Sequence, residues 1–271
     1  MFDEYLTRWA LAPDGDPIVT ETSSLLPVRW HGAPAILKIA NIGEEKLGNR
    51  LMIWWDGEGA ARVFAHHGDA LLLERAVTTT TLADLARSGR DDEASRILCR
   101  VVAKLHAPRE GAMPDVVPLP KWFAALEPAS AMHGGLFARS AAVARDLLSA
   151  PQDVVVLHGD IHHGNVLDFG ERGWLAIDPK GLIGERDFDY ANIFCNPDHE
   201  IATAPNRFAQ RLDVIAAEAQ LDRRRLLKWI LAWSGLSASW SIDDGTSPDT
   251  ALAVAELAAG LLSRQDDHLL D

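Results

Sequence analysis

The chain has 271 residues, 48% of them apolar and 24% charged, with 26 basic and 39 acidic residues giving a formal net charge of −13 and a sequence pI near 5.2. That apolar content excludes intrinsic disorder, and the acidic excess argues against a nucleic-acid backbone or an anionic membrane as partner, since both need clustered Lys and Arg. Two distant cysteines, Cys99 and Cys195, offer no disulfide scaffold or zinc spacing and suit a reducing, cytoplasmic setting.

The N-terminal segment MFDEYLTRW carries Asp3 and Glu4 and no apolar h-region, so a signal peptide is not expected. No run approaches the roughly 20 apolar residues of a membrane span. Residues 18–22 predict a strand leading into a turn at Thr22-Ser23-Ser24. Residues 25–30 and 33–39 predict a hairpin around His31-Gly32. After Gly43, helical spacing of Glu44, Leu47, Leu51 and Trp54 or Trp55 predicts a helix over 43–55, stopped by Asp56-Gly57-Glu58-Gly59. Residues 60–66 and 70–74 predict two more strands. From residue 77 the pattern turns helical, with helices expected over 91–106, 136–148, 205–219, 222–239 and 247–263, and a Pro-rich loop over 108–120. Two short strands, 154–157 and 173–177, interrupt them. Strands segregated from helices predict an α+β fold. A hinge near residue 77 would divide residues 1–77, a small sheet with one helix, from residues 78–271.

The densest polar cluster is Leu157-His158-Gly159-Asp160-Ile161-His162-His163-Gly164-Asn165-Val166-Leu167, followed by Ile177-Asp178-Pro179-Lys180. Phosphoryl transfer needs one carboxylate to orient a hydroxyl and accept its proton. It needs a second carboxylate and an amide oxygen to hold Mg²⁺ against nucleotide phosphates. His-x-Asp-x-x-x-x-Asn with a later Asp supplies these groups as Asp160, Asn165 and Asp178. The three histidines lack the Cys or HExxH company of a zinc site, and His158 is expected to brace the loop. Lys38 ends the strand Ala35-Ile36-Leu37, as a phosphate-binding lysine does. Its partner is Glu44 or Glu45, and helical phase favours Glu44. Ser23 and Ser24 are candidate phosphate-covering residues, and Glu74 and Ala76 would lie beside an adenine. Lys180 is left between a phosphate contact, a pair with Asp187 or Asp189, and a plain surface lysine.

The segments APAILK (33–38), WWDGEGAAR (54–62), LLLERA (71–76), LHGDIHHGNVL (157–167) and GWLAIDPKGLIGE (173–185) resemble the aminoglycoside phosphotransferases. The resemblance is to the streptomycin 6-phosphotransferase and hydroxyurea phosphotransferase branch, over about residues 18–240, with Asn196-Pro197 also in the expected place. It implies a protein-kinase-like fold of two lobes, with ATP and Mg²⁺ as cofactors. Asp160 would be the base, Asn165 and Asp178 the metal ligands, and Glu45 in place of Glu44 the lysine partner. It implies transfer of the γ-phosphoryl of ATP to a hydroxyl of a cationic small molecule; the sequence leaves the assembly open between monomer and homodimer. The last 91 residues hold 15 acidic and 8 basic residues, so Asp187, Asp189, Asp198 and Glu200, with Asp243 and Asp244, become candidates for binding that cation. The alternatives are a kinase for another amine-bearing metabolite and a catalytically silent nucleotide-binding module.

Overall fold

The computed structural model describes residues 1–77 and 80–267. In chain order the first part holds α1 (Asp3–Arg8), β1 (Ala12–Pro13), β2 (Ile18–Val19), β3 (Ser23–Trp30), β4 (Ala33–Ala40), α2 (Gly43–Trp55), β5 (Val63–His67) and β6 (Ala70–Glu74). The strands form one antiparallel sheet in the order β1-β3-β4-β6-β5, with β2 also pairing β3. The β3–β4 hairpin turns at His31 and Gly32, both at positive φ (49° and 83°), which matches the right-handed twist of the strands it joins. Alternation then sorts the faces. Leu26, Val28, Ala35, Leu37, Ala70 and Leu72 form a small core on one face, while Leu25, Ile36, Lys38, Leu71 and Leu73 line a cleft on the other.

The second part begins with α3 (Leu82–Arg87) and α4 (Asp91–Leu105), then β7 (Val117–Pro118), α5 (Leu119–Phe123), α6 (Leu126–His133) and α7 (Gly135–Ser149). Next come β8 (Val154–Leu157), β9 (Val166–Asp168), β10 (Trp174–Ala176) and β11 (Leu182–Glu185). A 3-10 segment, Arg186–Cys195, leads to α8 (His199–Thr203), α9 (Pro205–Glu218), α10 (Arg223–Asp243) and α11 (Asp249–Asp267). Every residue from Trp229 to Leu236, more than two turns, is buried, so all sides of α10 are covered, which makes α10 the central helix of this part. The architecture is the expected two-part α+β arrangement. Among the described residues no helix is long and apolar enough to cross a membrane.

Three expectations shift. The first hairpin turns at Thr20–Thr22, where the Thr20 hydroxyl bonds both the Ser23 N–H (3.0 Å) and carbonyl (2.9 Å); Ser23 and Ser24 therefore lie in β3 and not in the turn. The 60–66 strand starts only at Val63, because Ala60 bridges to Ala176 instead. The 108–120 loop ends early, because Pro120 sits in the first turn of α5, where a missing N–H costs nothing.

Candidate active site

The small β9–β10 hairpin and the β8–β11 pair hold the ends of the polar loop 158–165. His158 is buried and clasps the loop from inside. Its Nε2 donates to the Ile177 carbonyl (2.8 Å) and its Nδ1 accepts from the Asp160 N–H (3.2 Å). Those partners define a neutral tautomer, and burial lowers the imidazole's pKa in agreement. Gly159 has φ 86°, and an added Cβ would lie 2.8 Å from Leu182, so neither the backbone nor the space admits another residue.

Asp160 projects from this loop. Its Oδ2 accepts from Asn165 Nδ2 (3.2 Å) and its Oδ1 from Asn192 Nδ2 (2.8 Å). Burial raises its pKa to about 7, with Lys180 opposing and Asp178 adding to the rise. Asn165 also donates to the Asp160 carbonyl (2.9 Å). With its amide nitrogen committed to Asp160, its oxygen is turned the other way. Asp178 follows β10 in a left-handed conformation (φ 63°) that Asp tolerates better than most residues. One of its oxygens pairs with Lys38. Burial, the largest single influence, pushes the Asp178 carboxyl up, but the charge and hydrogen bond of Lys38, helped by Lys180, together hold its pKa below the ordinary value.

Lys38 also pairs with Glu45 Oε2 at 2.5 Å, while Lys180 forms ion pairs with Glu44 (3.0 Å) and, more loosely, Glu45 (3.6 Å). Glu45, not the Glu44 favoured by phase, is thus the partner of Lys38. Helix α2 presses on the Asp178 loop so closely that a Cβ on Gly48 would lie 2.0 Å from the Pro179 carbonyl oxygen. Lys38 and Asp178 close one end of the cleft of about 250 Å³, whose apolar walls include Ile36, Met52, Leu71, Leu73 and Phe169. Ser23, Glu74 and Ala76 line it as well. Ser24 does not: strand alternation turns it to the opposite face, beside Asn41.

A second cavity, about 470 Å³, opens on the other side of Asp160 and includes Glu44, Lys180 and Asn192 in its lining. None of the expected acidic residues of the C-terminal part lines it. Asp189 is buried and accepts from the His158 N–H (2.9 Å), the Gly159 N–H (2.7 Å) and His106 Nε2 (2.8 Å). Asp198 caps α8 and pairs with Arg87 at 2.8 Å. Glu200 is exposed on the first turn of α8, and Asp243 and Asp244 are exposed at the end of α10. Charge counting located an acidic region but not the direction of its side chains. Asn192, invisible to motif spacing, is a residue the structure adds to the surroundings of Asp160.

Asp187 is buried beside Glu185 and Arg186, and burial first, then Glu185, pushes its carboxyl up to about 6. A folded pKa above the unfolded value makes the group's contribution to stability most favourable below about 3.8 and progressively lost as pH rises through about 6. Asp187→Asn is therefore expected to raise Tm by roughly 2–5 °C at pH 8, with the gain shrinking as pH falls through about 6 and vanishing only below about 3.8 in thermal melts. A gain independent of pH would contradict this assignment.

The comparisons with known proteins give the family. Residues 8–245 match the family model "Aminoglycoside/hydroxyurea antibiotic resistance kinase". The chain is 52% identical over 265 residues, 96% of its own length and 99% of the relative's, to the streptomycin 3″-kinase of Klebsiella pneumoniae. It is 33% identical over 268 residues, covering 91% of this chain and 84% of the other, to the streptomycin 6-kinase of Streptomyces glaucescens. Among solved structures, an aminoglycoside phosphotransferase APH(4)-Ia in ternary complex with ADP and hygromycin B superposes with a TM-score of 0.66. The two are 12% identical, covering 96% of this chain and 97% of that one, so the likeness is one of fold. This chain belongs to the aminoglycoside/hydroxyurea antibiotic resistance kinase family and is a phosphotransferase.

Proposed function

We propose that the protein is a cytoplasmic streptomycin kinase that transfers the γ-phosphoryl of ATP to the 3″-hydroxyl of the drug. The observation that carries the choice of hydroxyl is the much higher identity to the streptomycin 3″-kinase, along nearly its whole length, than to the 6-kinase. The apolar cleft takes the adenine, with Ser23, Glu74 and Ala76 in its lining. Lys38, steadied by Glu45, faces the nucleotide phosphates.

The residues present fit a magnesium ion. Asn165 offers an amide oxygen whose nitrogen is already engaged, and Asp178 a carboxylate with one oxygen beyond its lysine pair. Mg²⁺ commonly takes one or two protein oxygens and completes its shell with phosphate and water. When bound, the ion neutralises phosphate charge. Asp160, oriented by Asn165 and Asn192, accepts the proton of the attacking hydroxyl. Its raised pKa suits a base working near neutral pH. Lys180, between Asp160 and Glu44 at the edge of the second cavity, puts a positive charge where the phosphoryl group passes.

Purified protein with Mg-ATP and a panel of streptomycin, other aminoglycosides, hydroxyurea and amino sugars tests this, with phosphorus NMR of the product to place the phosphate. Phosphorylation of streptomycin at the 3″ position is expected. Product at position 6, or turnover of a non-antibiotic alone, would overturn the acceptor assignment.

A further inference from the structure

The second cavity must receive the acceptor, because it is the one that opens on Asp160 from the side away from the nucleotide cleft. A cationic acceptor needs a favourable wall there. The acidic residues of the 3-10 segment and α8 do not supply it, being buried, capping a helix or turned elsewhere. What lines the cavity instead is three indoles, Trp122 from α5 and Trp233 and Trp240 from α10.

These rings form a built corner. Trp240 stands edge-to-face against Trp122 (centroids 5.3 Å, 78° between planes) and against Trp233 (5.6 Å, 78°). Trp233 is fixed further by its Nε1, which donates to Asn192 Oδ1 at 3.0 Å, and Asn192 in turn donates to Asp160. The corner is thereby tied to the catalytic carboxylate by two hydrogen bonds. The Trp122 Nε1 is buried and meets no acceptor in the protein, an orphan donor beside the cavity of a kind that is costly to leave unmade. The local charge favours a cation as well. Glu44, Glu45, Asp160 and Asp178 stand against Lys38 and Lys180, and both lysines are already ion-paired.

We propose that Trp122, Trp233 and Trp240 form the cation subsite of the acceptor pocket, taking a planar guanidinium or an ammonium group against indole faces, with Glu44 and Asp160 as the carboxylates that line the same cavity. This rests on the reading of the acceptor as a cationic antibiotic, and it replaces the acidic wall by an aromatic one. Indole faces attract cations through the ring quadrupole, and the attraction grows where water is excluded. A corner held rigid before binding loses little freedom when the ligand arrives.

The test is a graded series, Trp240→Phe and Trp240→Leu, repeated at half-buried Trp122 in case Trp240 variants fold poorly. KM for streptomycin is divided by KM for ATP in each sample. The ratio is expected to rise about threefold with Phe and tenfold or more with Leu, while kcat changes less than threefold. Equal effects of Phe and Leu would reduce the wall to simple packing and overturn the proposal. So would an unchanged ratio for Leu at both positions. If the wild type does not turn over streptomycin, the acceptor assignment falls by itself. The subsite is then tested by calorimetric titration with agmatine, a guanidinium–ammonium dication. Saturable binding that Trp240→Leu and Trp122→Leu both weaken at least tenfold supports it, and no binding to the wild type overturns it.

Discussion

Asp160→Asn is expected to lower kcat by roughly 10²–10⁴-fold, while KM for ATP stays within about twofold and Tm within about 3 °C. The substitution keeps the size of the side chain and one acceptor oxygen, enough for one of the two amides, Asn165 and Asn192, which donate to separate oxygens of Asp160. It removes the only feature the hydroxyl requires of it, a basic oxygen. Stability is little affected because the carboxylate it replaces is itself held away from water, as its raised pKa records. ATP binding is spared because Lys38, Glu45 and the cleft lie on the other side of the loop. Steady-state kinetics and a thermal melt on the same preparation check this. A variant retaining more than a tenth of wild-type kcat would remove Asp160 from the role of base.

How far the sequence disclosed this site depends on which physical signal carried each residue. That Asp160, Asn165 and Asp178 would lie together was legible because they sit at set distances along one strand–loop–strand segment, and local spacing survives folding; Lys38 was legible as a lone charge in the apolar strand β4. The choice between Glu44 and Glu45 was not legible from periodicity. The buried residues of α2 are Glu45, Gly48, Asn49, Leu51, Met52 and Trp55; Leu51 shares the expected phase, but Leu47, which also set it, is only half-buried, and a second buried row runs through Glu45, Gly48, Asn49 and Met52. The helix turns small and polar residues toward the Asp178 loop, and hydrophobic phase cannot see such a face. The resemblance to kinases supplied Glu45 where periodicity did not. Ser24 failed for a simpler reason: moving the turn to residues 20–22 placed both serines in a strand, and a strand exposes only one of two neighbours to a given side. The tryptophan corner joins α5 to α10 across more than 100 residues of sequence. Trp233 and Trp240, seven apart, share a helix face, but nothing local says that this face meets a cavity.

The second large effect is expected at Asp189, and it separates two roles for an acidic residue in this region. Asp189→Ala would strip acceptors from two buried backbone N–H groups, those of His158 and Gly159, and from the ring N–H of His106. A buried donor left without an acceptor costs about 1–3 kcal/mol, so a loss of roughly 3–6 kcal/mol and a fall in Tm of about 8–15 °C are expected. The same two backbone bonds set the position of the peptide that leads directly into Asp160. Displacing a catalytic group by about 1 Å can cost on the order of 10²-fold, so kcat measured well below the lowered Tm is expected to fall by 10–100-fold. An acceptor-binding carboxylate would behave differently: its loss would raise KM for streptomycin and leave stability and kcat nearly intact. Asp189→Asn, which keeps one acceptor oxygen, is expected to fall between the wild type and the alanine variant in both Tm and kcat. A normal Tm with a raised acceptor KM would restore Asp189 to the acceptor wall. The combined loss of stability and kcat, with KM for streptomycin within about threefold, would establish it as the residue that holds the catalytic loop in place.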